Sequence, residues 1–215
     1  PFTPDGDGKS LELKATNLDN TVAANWGASL ANDGTPDAQN SLVGVSLPTV
    51  TSVTDPNNVA AGADVDIVAT VGGGGSPTVN LAYKIGFAGD VTISMFDDGA
   101  HNDGSAGDNV YGATIPGQPV NTLVRFKISA TNGSGTGTSP SADDSMNYNG
   151  YYVKDPSVTS EAPILYWFME DSDYETMYDE ADLIIDNPYP VVFVYGDDVY
   201  DNAIVKTKGS NTRYN

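Results

Sequence analysis

The chain has no cysteine, a single histidine (His101), and 9 basic against 29 acidic side chains, a formal net charge of −20 over 215 residues. Without cysteine there is no disulfide framework, thiolate nucleophile, zinc knuckle or iron–sulfur site. With His101 alone, histidine-rich metal sites and a dispersed triad are nearly out. The charge argues against nucleic acid as a partner, because phosphates need a basic footprint to displace their counterions. Anionic headgroups are repelled for the same reason. No apolar run approaches the roughly 20 residues that span a bilayer, so membrane insertion is not expected. What remains is an acidic, β-rich protein expected outside the cell or at its surface. Starting at Pro1, with no signal-peptide pattern, it reads as a processed chain or a piece of one.

The acidity is spread along the chain. Residues 1–48 hold six acidic and two basic groups, residues 49–150 ten and three, and residues 151–215 thirteen and four. Only Glu12, Glu161, Glu170, Glu175 and Glu180 are glutamate. Short Asp carboxylates suit turns and oxygen-rich cation loops, whereas Glu suits helix surfaces. With 23 glycines and 13 prolines, the composition describes many short strands separated by turns.

Three segments emerge. In residues 49–155, Val65, Ile67, Ala69 and Val71 alternate with other residues, as do Val79, Leu81, Tyr83 and Ile85, then Val91, Ile93 and Met95. Val124, Phe126, Ile128 and Ala130 alternate with Arg125, Lys127 and Ser129. This period of two marks half-buried strands. Further strands are expected at 50–54, 110–115 and 146–153, with turns at 72–77, 86–90 and 132–144. About seven short strands in about 100 residues predict an antiparallel sandwich of the immunoglobulin or fibronectin type. Residues 1–48 offer one strand at 10–15 and a loop-rich remainder around Trp26, too little for a core of their own. They are expected to complete something larger or to lie on the sandwich. Residues 156–215 predict an α+β piece. A continuous apolar run at 162–169 has the look of a strand buried on both faces. A helix follows, with Ser172 and Glu175 as a capping box and Asp171 and Asp173 at its positive end. Strands at 190–195 and 198–206 then meet at Gly196-Asp197, with Asp197 and Asp198 in the turn.

The three segments resemble known families in a fixed order. "GDGKSLEL", "LDNTVAANWGAS" and "NDGTPDAQN" resemble the closing strands of bacterial lamin-tail domains, with Asp37 where glycine is usual. "MFDDGAHNDGSAGDNVYGATIP" resembles the signature of immunoglobulin-like domains in large secreted bacterial proteins, with Asn109 where glycine is common. "APILYWFMEDSDYETM" and "VYDNAIVKTKGSNTRYN" resemble the start of the spore-coat CotH protein-kinase family. There Lys208-Gly209-Ser210-Asn211-Thr212-Arg213 stands in for the family's Arg-Gly-Asn-Ser-Ser-Arg. The resemblance implies a mainly β slice of a longer secreted protein: a partial lamin-tail-like segment at 1–48, an Ig-like β-sandwich at 49–155, and the N-terminal part of a CotH-like domain at 156–215. It also implies that the kinase's catalytic acids lie beyond Asn215. Gly72–Gly75 is no phosphate loop, since Ser76-Pro77 follows instead of a Lys-Ser/Thr opening a helix.

The candidate site is Asp97, Asp98, Asp103 and Asp108, spaced along a Gly-rich loop between two strands. Calcium takes six to eight hard oxygens in irregular geometry, which short carboxylates and free carbonyls on a turning loop supply. Magnesium fits less well, because it keeps water and shares phosphate ligands. The pattern is no EF-hand: no Glu closes the loop and no helices flank it. The alternative is an Asx-rich loop whose carboxylates accept hydrogen bonds from their own backbone. His101 reads as solvated, because calcium prefers oxygen. Asp5-Gly6-Asp7-Gly8 echoes a calcium turn but is too short to bind alone.

The expected function is a non-catalytic structural, adhesion or assembly segment of an extracellular bacterial protein, calcium-stabilised, whose partners are other modules or copies of the same protein. One alternative is an accessory part of a CotH-like kinase. Another is a filament or surface-layer subunit, with a homo-oligomer formed by strand addition at open edges. Acidic pairs arise by chance in such a chain and do not by themselves make a glycosidase. Tyr166, Trp167 and Phe168 could stack on carbohydrate, but a continuous run is the ordinary mark of a buried strand.

Overall fold

The computed structural model describes residues 8–14, 19–43, 46–181 and 187–206. The Asp5–Asp7 string and the Lys208–Arg213 motif lie outside them. The described chain is mainly β, with antiparallel sheets and one short helix.

Two sheets enclose the main core. The smaller runs β3 (Thr49–Thr51), β4 (Val65–Gly72) and β7 (Val110–Ile115). The larger orders β10 (Asn149–Val153), β8 (Thr122–Asn132), β5 (Thr78–Ile85) and β6 (Val91–Met95), with β9 (Gly135–Ser139) also paired to β8. The residues expected from period two meet between them. Ile67, Ala69, Ala113 and Ile115 from one sheet pack with Leu81, Val124, Phe126 and Ile128 from the other, all 3% exposed or less. Burying the Ile, Leu, Val and Phe side chains among them contributes about 1.5–3 kcal/mol each. This is the expected two-layer sandwich; the finer immunoglobulin assignment is taken up below.

Strand β9 was not expected, because residues 132–144 read as turn. Its Gly-Thr-Gly-Thr-Ser sequence has no apolar alternation, so only ladder bonds to β8 and an edge contact between Thr131 and Thr136 hydroxyls (2.8 Å) mark it. A side chain at Gly137 would collide with the Pro48 carbonyl, so glycine lets the chain entering β3 lie against this edge.

Residues 8–43 contain β1 (Leu11–Leu13) paired with β2 (Trp26–Ala28). Of the two expected arrangements, the structure shows contact with the sandwich. Leu42 is fully buried, and a Cβ on either Gly27 or Gly133 would come within 2.8 Å of its methyls. Lys14 Nζ donates to Ser134 O at 3.0 Å, tying β1 to the tip of the β8–β9 hairpin. Inside the segment, buried Glu12 accepts hydroxyls from Thr35 and Ser41, both at 2.7 Å. Burial pushes its carboxyl up, but those hydroxyl bonds, joined by the backbone amides of Ser41 and Leu42, together hold it below the ordinary range.

The C-terminal piece forms β11 (Leu165–Phe168), α1 (Asp171–Ala181), β12 (Tyr189–Tyr195) and β13 (Asp198–Val205), in sheet order β11-β12-β13. Two expectations need correction. The apolar run is not buried on both faces: Tyr166 and Phe168 point inward, while Leu165 and Trp167 are 54% and 45% exposed. The sheet packs on one neighbour only, so alternate residues reach solvent. The helix begins at Asp171, so Ser172 falls inside its first turn instead of capping it; Asp171 and Asp173 do occupy that turn. There their charge favours the positive helix end.

Candidate functional site

The acidic loop joins β6 to β7, and a bridge between Phe96 and Gly112 closes its base. The chain turns back through left-handed φ values at Gly99, Asn102, Gly104, Gly107 and Asn109. Each of the four expected residues faces backbone N–H groups. Asp103 is 1% exposed; its Oδ2 accepts the amides of Asp98 (2.6 Å) and Gly99 (2.9 Å), and its Oδ1 that of His101 (3.1 Å). Asp97 spans the loop, accepting the amides of Gly107 (2.7 Å), Asp108 (3.2 Å) and Asn109 (2.9 Å). Asp98 accepts from Ala100, and Asp108 from Ser105 and Val110. The loop is thus a nest of Asx-type turns in which carboxylates satisfy amides that no strand partner reaches.

The electrostatics follow. The Gly99 amide, working against burial and joined by those of Asp98 and His101, holds Asp103 below the usual carboxylate range. Asp98 is lowered first by its hydrogen bond with His101 and then by the Ala100 amide. His101 is not simply solvated. Its Nδ1 lies 2.9 Å from Asp98 Oδ1, and its ring stacks on Phe96 with centroids 4.8 Å apart. Gly112 carries no side chain where the His101 carbonyl crosses it. Among the described residues, no three Asp, Glu or His side chains converge into a group that could hold a metal ion.

A second feature went unforeseen: the seam where β11-β12-β13 packs on the outer face of β8 and β10. Leu123, Tyr152, Val192 and Val194 are buried there, with the Tyr152 ring tilted against those of Tyr166 (centroids 4.7 Å apart) and Phe168 (5.3 Å). Arg125, expected on a solvated face, is 7% exposed. Its guanidinium donates to Gly86 O (2.8 Å), lies over the Phe87 ring (4.6 Å) and meets Asp201 on β13 at 3.4 Å. Asp201 Oδ1 also accepts the Asn147 amide, and Asp197 in the hairpin turn takes Lys154 Nζ at 2.7 Å. Gly150 lets β13 run close: a Cβ there would sit 3.1 Å from Val199. A local signal existed, an arginine inside an alternating strand, but its partner lies 76 residues away.

No family model matches the chain, and no curated protein matches it either.

Proposed function

We propose that the chain is a non-catalytic structural and adhesion segment of an extracellular bacterial surface protein, in which successive β modules lock together into a stiff spacer. The seam carries this reading. An apolar layer reinforced by a largely buried Arg125–Asp201 pair would be out of place between freely tumbling modules, whose interfaces are smaller and more polar. The acidic loop fits the same role, with its carboxylates closing a rigid turn on their own backbone. Calcium at Asp97, Asp98, Asp103 and Asp108 would add to a loop already closed in this way.

Small-angle scattering combined with limited proteolysis tests the spacer. The expected result is one elongated particle whose sandwich and C-terminal sheet resist separation. Independent motion of the two, or early cleavage at the 154–164 connection followed by their dissociation, would refute it.

A second reading is favoured by the order of β11, α1, β12 and β13, the α+β order expected for residues 156–215, where the CotH-like stretches fall. On that reading the segment is an accessory part of a secreted kinase. Nucleotide binding by a longer parent, absent from this segment, supports it; absence from both removes it.

A further inference from the structure

The C-terminal sheet covers the sandwich with one face; among the described residues no strand lies over the other, and α1 contacts β12. On that outer face Trp167, Phe193 and Tyr200 stand opposite one another across β11, β12 and β13. Leu165, Tyr195 and Asp198 form the next row. Directly opposed residues of antiparallel strands share a face, and strands lie about 4.8 Å apart, so each row spans about 10 Å. Leu165, Trp167, Tyr195 and Tyr200 are 54%, 45%, 51% and 45% exposed. Contiguous apolar surface of this kind, rimmed by polar groups, marks an interaction site.

Charge selects the occupant. Exposed Asp198 sits in the aromatic field, and exposed Glu170 and Asp171 follow the end of β11, in a chain of net charge −20. A polyanion is repelled, and a second copy brings the same charge with it. Aromatic faces carry a negative quadrupole that attracts ammonium and guanidinium groups. The fold already uses that chemistry: Arg125 lies over Phe87 at 4.6 Å, and Lys84 lies 4.4 Å from the Tyr148 ring centroid. We propose that the outer face of β11-β12-β13 docks a Lys- or Arg-bearing segment of another protein, its cations over the Trp167 and Tyr195 rings and against Asp198. This names the partner chemistry for the adhesion role above, and rests on that reading only for its biological setting. Scattering decides the spacer; peptide binding decides this proposal.

The experiment is calorimetric titration of the full chain with a short peptide of alternating Arg and Gly. The same peptide with citrulline in place of Arg is the neutral control. Binding is expected for the first, not the second, and should weaken with added salt. Trp167→Ala should weaken it roughly three- to thirty-fold, the range of one cation–π contact. Asp143→Asn, which removes one charge outside this face, should leave it nearly unchanged. Asp198→Asn, which spares the aromatic packing, should also weaken it, and serves where Trp167→Ala does not fold. Equal binding to wild type, Trp167→Ala and Asp198→Asn would mean diffuse charge attraction and overturn the proposal. So would binding of a neutral oligosaccharide in its place, or Trp167-dependent self-association in sedimentation.

Discussion

Arg125 on β8 and Asp201 on β13 meet at 3.4 Å with side chains 9% and 2% exposed, joining two sheets that nothing in the local sequence connects. Removing one partner of such a pair leaves a charge desolvated and alone. Arg125→Ala or Asp201→Ala is therefore expected to cost about 3 kcal/mol, and the double variant less than the sum. Chemical denaturation of all four proteins measures the coupling; strict additivity would show that the pair does not act as a unit.

Tyr151 is 1% exposed, and its hydroxyl has no hydrogen-bond partner among the described residues. Burial pushes its phenol up to about 12. Tyr151→Phe keeps the ring and removes the desolvated hydroxyl, so stability should rise by about 1 kcal/mol. A loss in urea melts would point to a buried water on the hydroxyl.

Asp103 should govern the acid sensitivity of its loop. Its folded value is depressed, so its contribution is fully present above the unfolded value, about pH 4. It is lost as pH falls through the lower folded value. Asp103→Asn should lower the melting midpoint at neutral pH by several degrees and flatten its decline in acid. Equal midpoints from neutral to acid pH would sink the assignment.

Calcium at the same loop is tested by melting with added calcium and with chelator. A bound ion raises the midpoint as the logarithm of its concentration over Kd. Carboxylates closed by their own amides alone give no shift, and Asp97→Ala then destabilises equally in both conditions.

Gly133 sits where the N-terminal segment meets the sandwich, and a Cβ there would come within 2.6 Å of Leu30 and 2.8 Å of Leu42. Gly133→Ala should wedge the two apart and cost about 1–3 kcal/mol. Exchange of the β1 and β2 amides should quicken more than that of β8; an unchanged β1–β2 pair would show that the contact is not needed.

The strands of the sandwich were legible because alternation of apolar residues is a local pattern and a two-layer core rewards it directly. Val65 to Val71 and Val124 to Ala130 were read from period two alone, and both lie as read. The acidic loop was legible as chemistry, since four aspartates among glycines turn the chain and present oxygens either to a cation or to their own backbone. Which donors they accept from depended on φ values at Gly99, Gly104 and Gly107 that close the turn. Strand β9 was hidden because an edge strand of glycine and threonine has no core to announce it. The arrangement of the C-terminal sheet was beyond local reading altogether. Residues 162–169 hold enough apolar side chains for burial on both faces, and only the presence of one packed neighbour instead of two exposes Leu165 and Trp167. Arg125 carries the same lesson: alternation placed it on the outer face of β8, and the arrival of β13 turned that face into an interior. Composition thus determined an acidic β protein with its carboxylates in turns. Long-range packing, which sums contacts that no sequence window contains, decided which face is closed and which is left exposed.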